Sequence, residues 1–222
     1  MKALAALWFA IALFGLSYVG TPQPVAADQI APSNKPRSGT GDSLNLFFAT
    51  SQSLPLCSGL FTLLSSFVTD HVARIKLGGV NLNYFYLEQL PVLPPSVFAS
   101  PCDWTGSQSV GDWIRPRGVE LVYTAVDMEP FARDMGYTGP PFVWDDERHS
   151  LIRCELDAAF FHLYGIGRDD VVDIMERFPI VKRKDEQRHS EYRTARVILE
   201  YFDKMGKVPY RSTLVPEPGA AL

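Results

Sequence analysis

Phe67-Val68-Thr69-Asp70-His71-Val72-Ala73-Arg74-Ile75-Lys76-Leu77-Gly78-Gly79-Val80-Asn81-Leu82-Asn83-Tyr84-Phe85-Tyr86-Leu87 changes its period in the middle, and that change decides the fold class. On its upstream side Leu56, Leu60, Leu63, Leu64, Phe67, Val68 and His71 recur at three- and four-residue steps. This spacing predicts one helix from Leu54 to about Leu77 with a single buried face. Gly78-Gly79 closes it, where a left-handed cap needs glycine. From Val80 to Leu87 the residues alternate around aromatics, as a strand would. Gln89-Leu90-Pro91-Val92-Leu93-Pro94-Pro95 is an extended exit, because proline fixes φ and biases its predecessor away from helix. With a short strand at Ser43–Phe48, the expectation is a mixed α/β part at 44–100.

Downstream the character becomes helical. Residues 99 to 112 are loop-like. Arg115 to Met135 carries Val119, Val122, Tyr123, Val126 and Phe131 at mixed helical spacing, interrupted by Pro130. Asp145-Asp146-Glu147 puts acids at a helix start, where the macrodipole favours them. That helix runs to about Tyr164. Arg168–Phe178 reads as a short helix closed by Pro179. Glu186–Met205 reads as the last long helix, with Val197, Ile198, Tyr201 and Phe202 on its apolar side. The helical part thus spans 112–206, and the proline-bearing tail 207–222 reads as flexible. A mixed part followed by an all-helical part predicts an α+β fold.

The front of the chain is different again. Met1-Lys2, an apolar run from Ala3 to about Gly20, and Val25-Ala26-Ala27 together describe a secretory signal peptide. Residues 28–43, rich in Pro, Gly and Ser, read as a linker. Taken at face value, 1–27 is a leader and the body is an exported globular protein cleaved after Ala27. The localisation is exported if that leader works and cytoplasmic if the body governs.

Composition bounds the function. The 222 residues are 46% hydrophobic and 21% charged, with a formal net charge of −4. This is ordinary globular composition without an overall basic excess. Any nucleic-acid contact must therefore come from a local patch. The three cysteines, Cys57, Cys102 and Cys154, are far apart and form no Cys-x-x-Cys pair. They describe neither a disulfide framework nor a zinc site. His149 and His162 belong to no metal motif, so no metal is expected. No P-loop, nucleophile elbow or nuclease carboxylate core is present. Gly139-Pro140-Pro141-Phe142 has two prolines and an aromatic, but glycine stands where a base-holding tetrad needs Asn or Asp. Ser38-Gly39-Thr40-Gly41-Asp42 has no strand before it and no helix start after it. No catalytic residue is assigned.

Three blocks carry a family resemblance. The first is Ser65 to Pro95: a helix ending in basic residues, a Gly-Gly turn, an Asn-x-x-aromatic strand and a Gln-x-Pro-x-x-Pro exit. The second is Arg153-Cys154-Glu155-Leu156-Asp157-Ala158-Ala159-Phe160-Phe161-His162-Leu163-Tyr164-Gly165. The third is Phe178-Pro179-Ile180-Val181-Lys182-Arg183-Lys184-Asp185-Glu186, followed by Tyr192-Arg193-Thr194. From Pro36 onward the chain resembles the C-terminal target-recognition region, with a TaqI-like specificity domain, of large adenine-N6 DNA methyltransferases of restriction-modification and phage-defence systems. The resemblance implies a DNA-recognition fragment that binds duplex DNA without catalysis of its own. It implies S-adenosylmethionine only for a methylase domain whose motifs this chain lacks, so no cofactor is expected here. A separate methylase subunit is the protein partner it suggests. A further reading gives the chain its family's own activity, site-specific adenine methylation.

DNA binding separates backbone contacts, made by Lys and Arg, from base contacts, made by Asn, Gln and Arg. Arg74 and Lys76, beside the Gly-Gly turn, are candidates for phosphate contacts. Asn81, Asn83 and Tyr84 follow on a turn or strand start and are candidates for base or sugar contacts. The same residues have a structural reading: the cations cap a helix C-terminus and the asparagines satisfy turn backbone. The second patch is Lys182, Arg183, Lys184, Arg188 and Arg193. Between 182 and 196 there are six basic and three acidic residues, against an acidic excess over 103–176. Its structural reading is a solvated helix face laced with Asp185, Glu186 and Glu191. Phe160, Phe161 and Tyr201 read as core.

Overall fold

Ser66 divides what the periodicity predicts as one long helix. The structure, a computed structural model, describes residues 56–77, 84–106 and 108–219. In it the segment forms α1 (Cys57–Leu64) and α2 (Phe67–Lys76). Ser66 is extended, and its hydroxyl oxygen accepts the Thr69 N–H, so it caps a new helix. The apolar spacing survives the break, which is why the pattern alone could not register it.

The α+β expectation is corrected. Among the described residues there is no sheet, and the one β pairing is an isolated antiparallel bridge between Pro101 and Ser109. Where a strand was expected, Tyr84–Leu87 forms a single helical turn, α3. Gln89 N–H and Leu90 N–H continue it by donating to the carbonyls of Tyr86 and Leu87. Aromatic alternation signals a strand only when a neighbouring strand takes up the backbone bonds. No such neighbour exists among the described residues, and Phe85 stands 67% exposed. The expectations for the leader, the linker, the strand at 43–48 and the Gly-Gly turn lie outside the described residues.

The remaining order is α4 (Pro95–Ala99), α5 (Val110–Val122), a 3-10 turn (Val126–Met128), α6 (Glu129–Asp134), α7 (Asp146–Leu163), α8 (Arg168–Glu176), α9 (Pro179–His189) and α10 (Arg193–Met205). Pro130 and Pro179 open helices rather than closing them, since proline lacks only an N–H that a first turn leaves free. The expected 186–205 helix is likewise two helices. Ser190 between them adopts a left-handed φ of 61°, a conformation that nothing in the residue type announces.

The core is built around α7 packed on α10, with α5 and α2 also packing on α7. Ile152, Phe160, Phe161 and Ile198 are fully buried there. A smaller apolar cluster joins Val119 and Tyr123 of the α5 end to Phe131 and Phe142.

The tail expected to be flexible is instead strapped across this core as far as Gly219. Tyr210 and Leu214 are buried. Tyr210 N–H donates to the Trp104 carbonyl at 2.6 Å, and its hydroxyl donates to Glu155 at 2.5 Å. Glu155 is also held by Arg117 in a bidentate pair at 2.8 and 3.2 Å. Farther along, Arg148 donates to the Pro216 carbonyl at 2.8 Å. Glu120, itself paired with Arg148, accepts the Gly219 N–H at 2.9 Å. Two buried carboxylates therefore find part of their hydrogen bonding in the strap. Buried charges need such partners to be tolerated at all.

Candidate nucleic-acid interface

α9 carries most of the second basic patch, and its geometry sorts the cations. At 3.6 residues per turn, Arg183, Lys184, Gln187 and Arg188 share one side of the helix. All four are exposed. Asp185 and Glu186 fall on the other side, and Asp185 is occupied in accepting the Thr194 N–H at 2.6 Å. Among the described residues Arg183, Lys184 and Arg188 make no ion pair. They form a run of cations with no carboxylate among them.

The other basic candidates are less available. Lys182 holds both oxygens of Glu176, at 2.9 and 2.8 Å, and that hydrogen bonding raises the pKa of its ammonium. Arg193 pairs with Glu147 of α7. Arg74 holds Asp70 through two bonds at 3.0 and 2.9 Å. Lys76 is exposed and has no ion pair among the described residues. Tyr84 opens the α3 turn rather than a strand. Asn81 and Asn83 lie outside the described residues.

The structure also brings Arg74 of the first patch to the residue that precedes α9. α2 packs on α8, and the Arg74 guanidinium lies 4.8 Å over the ring of Phe178, the residue just before α9. Phe178 in turn packs edge-on against Phe67 at 4.8 Å. Two basic segments about a hundred residues apart thus flank one aromatic contact.

Two groups that sequence reasoning passed over stand out. His71 was read only as part of an apolar face. It is half-buried, and burial first, then the Arg177 guanidinium, hold its pKa below the usual range. Asp157 is buried inside α7, where one oxygen accepts the Phe67 N–H at 2.7 Å. Burial pushes its pKa up to about 8, against the lowering effect of that bond. It lines a cavity of about 210 Å³ whose walls include Arg153, Cys154, Thr194 and Lys184. Phe67 and Asp157 are ninety positions apart, so spacing gave no sign of their meeting.

Burial also raises the pKa values of the Cys154, Cys57 and Cys102 thiols, which disfavours the thiolate. No group of three or more His, Cys, Asp or Glu among the described residues could hold a metal. No protein-family model, curated protein or solved structure matches the chain.

Proposed function

We propose that this chain is a DNA-recognition module of the adenine-methylase type, one that grips duplex DNA through its phosphates and leaves methyl transfer to a separate subunit. The observation that carries the reading is the exposed, acid-free arc of Arg183, Lys184 and Arg188 on α9. A helix side bearing three cations without counter-charges suits a polyanion, because each phosphate it neutralises releases condensed counterions. The local patch also answers the objection of a net charge of −4, since only the surface facing the DNA must be basic. The resemblance of the sequence blocks at 65–95, 153–165 and 178–194 supports the family reading, and the arc supports phosphate contact as its mechanism.

Fluorescence anisotropy of a labelled duplex at several salt concentrations tests it. The expected dissociation constant is on the order of 10⁻⁴–10⁻⁶ M at physiological salt, the non-specific range. Replacing Arg183, Lys184 and Arg188 together by Ala should flatten the log–log salt slope by up to about three units, equally on any sequence. Absence of binding by the folded chain even at about 50 mM salt sinks the reading.

A second reading, export, is favoured by the Met1–Ala27 leader. N-terminal sequencing from cells tests it: a mature end at Asp28 in an exported fraction removes the DNA role.

A further inference from the structure

We propose that the cleft where α2, α7, α9 and α10 meet binds a small carboxylate anion with a short apolar tail. The proposal goes beyond the DNA reading and does not depend on it.

The cleft has a volume of about 210 Å³. At the liquid share of about 30 Å³ per molecule it has room for about seven waters, more than a single ion fills. Phe67 at the start of α2, Cys154 and Asp157 of α7 and Val181 of α9 contribute to its lining. Asp157 is its buried polar group, at 3% exposure. One carboxyl oxygen accepts the Phe67 N–H at 2.7 Å, and the other has no hydrogen bond among the described residues. A buried oxygen without a partner is costly, so a ligand that supplies one is favoured there.

Which ligand follows from the charges. Burial holds the Asp157 pKa up at about 8, against the lowering effects of the Phe67 N–H and of Arg153. Near neutral pH the carboxyl therefore carries its proton. The Phe67 N–H occupies one oxygen, so the proton sits on the other, and the cleft wall presents an O–H donor that needs an acceptor. Arg153 and Lys184 add two positive charges to the same lining. Asp185, which accepts the Thr194 N–H at 2.6 Å, adds one negative charge. Around them the Cys154 thiol is held neutral by burial, Asp70 of α2 is held by Arg74, and Arg193 of α10 pairs with Glu147. Two cations facing one ionised carboxylate favour an anion. A carboxylate accepts the Asp157 proton in a strong charge-assisted bond, and its alkyl tail covers Phe67 and Val181. Phosphate would leave those apolar walls wet. Since binding needs the proton on Asp157, it is fully present below the pKa of that group and fades as pH rises above it.

The test is saturation-transfer NMR of butyrate with the whole chain, without DNA, from about pH 6 to about pH 10. Butyrate alkyl signals should be attenuated near neutral pH. Above about pH 8 binding should weaken by up to about tenfold per pH unit. Asp157→Asn should keep binding and lose that pH dependence, because its amide N–H replaces the carboxyl O–H. Asp157→Leu, with folding checked by circular dichroism, should abolish binding. Lys184→Gln, at an exposed position that does not threaten folding, should weaken it by no more than about fivefold. No attenuation by the folded native chain at about pH 6 overturns the proposal and leaves the cleft to water. Binding that the native chain keeps unchanged across the pH range overturns it too. So does displacement of butyrate by an equal concentration of inorganic phosphate, which marks an unselective anion site.

Discussion

Arg117 and Glu155 meet as a bidentate pair inside the helical core, at 2.8 and 3.2 Å, joining α5 to α7. Glu155 is fully buried and Arg117 nearly so. The guanidinium also donates to the Trp113 carbonyl at 2.7 Å and lies 3.6 Å over the Trp113 ring. Every element of this arrangement is satisfied, so its parts should differ in what their removal costs.

Arg117→Ala leaves Glu155 buried without its counter-charge. We expect a loss of about 3–5 kcal/mol, read by urea denaturation. Tyr210→Phe removes one donor to Glu155 and leaves the pair intact, so its loss should be about 1–3 kcal/mol. Equal losses would mean that the pair carries no special role in the core.

Asp157 makes stability depend on pH in an unusual direction for a carboxyl. Its unfolded pKa is about 3.9, and its folded pKa is raised to about 8. Between these values the folded state binds more protons, so stability falls as pH rises from about 4 to about 8 and levels off above. Asp157→Asn keeps an oxygen for the Phe67 N–H and cannot ionise. It should remove up to about 1.4 kcal/mol per pH unit from that slope. Thermal melts of both forms across this range decide the matter; parallel curves would show that Asp157 titrates normally.

Neighbouring lysines on α9 should behave differently towards DNA. Lys184→Ala should lower the salt slope by about one unit. Lys182→Ala should change it little, because that ammonium is tied to Glu176. If the two variants flatten the slope alike, the surface ion pair opens on binding and the arc extends to Lys182.

The purified chain should not transfer a labelled methyl group from S-adenosylmethionine to duplex DNA. The motivation is the missing base-holding tetrad, with Gly139 where an Asn or Asp is needed. Transfer above a no-protein control would show that the chain is itself an enzyme.

The helical half was legible because its signals are local. Val197, Ile198 and Tyr201 lie buried on α10 where their spacing put them, and Asp145 caps α7. The first half misled for an equally local reason. Aromatic alternation at 80–87 has the period of a strand, but whether a strand forms depends on a partner that no local window contains. Ser65 and Ser190 each close a helix without glycine or proline, so apolar spacing ran straight through them. The site was legible as composition and not as geometry. The basic candidates at 182–193 were visible, whereas which of them are engaged depends on Glu176, which holds Lys182, and on Glu147 of α7, which holds Arg193.

The strap at 210–219 has a consequence for synthesis. A ribosome delivers Arg117, Glu120, Arg148 and Glu155 well before Tyr210 and Gly219 emerge. Until then Glu155 lacks its phenol donor and Glu120 its amide donor, while the face covered by Tyr210 and Leu214 stays wet. The nascent helices can collapse early, but they cannot close a dry interior around these carboxylates. The last step of maturation is therefore set by arrival of the C-terminal segment rather than by helix formation, and a stalled chain ending near 206 would be a substrate for chaperones and proteases.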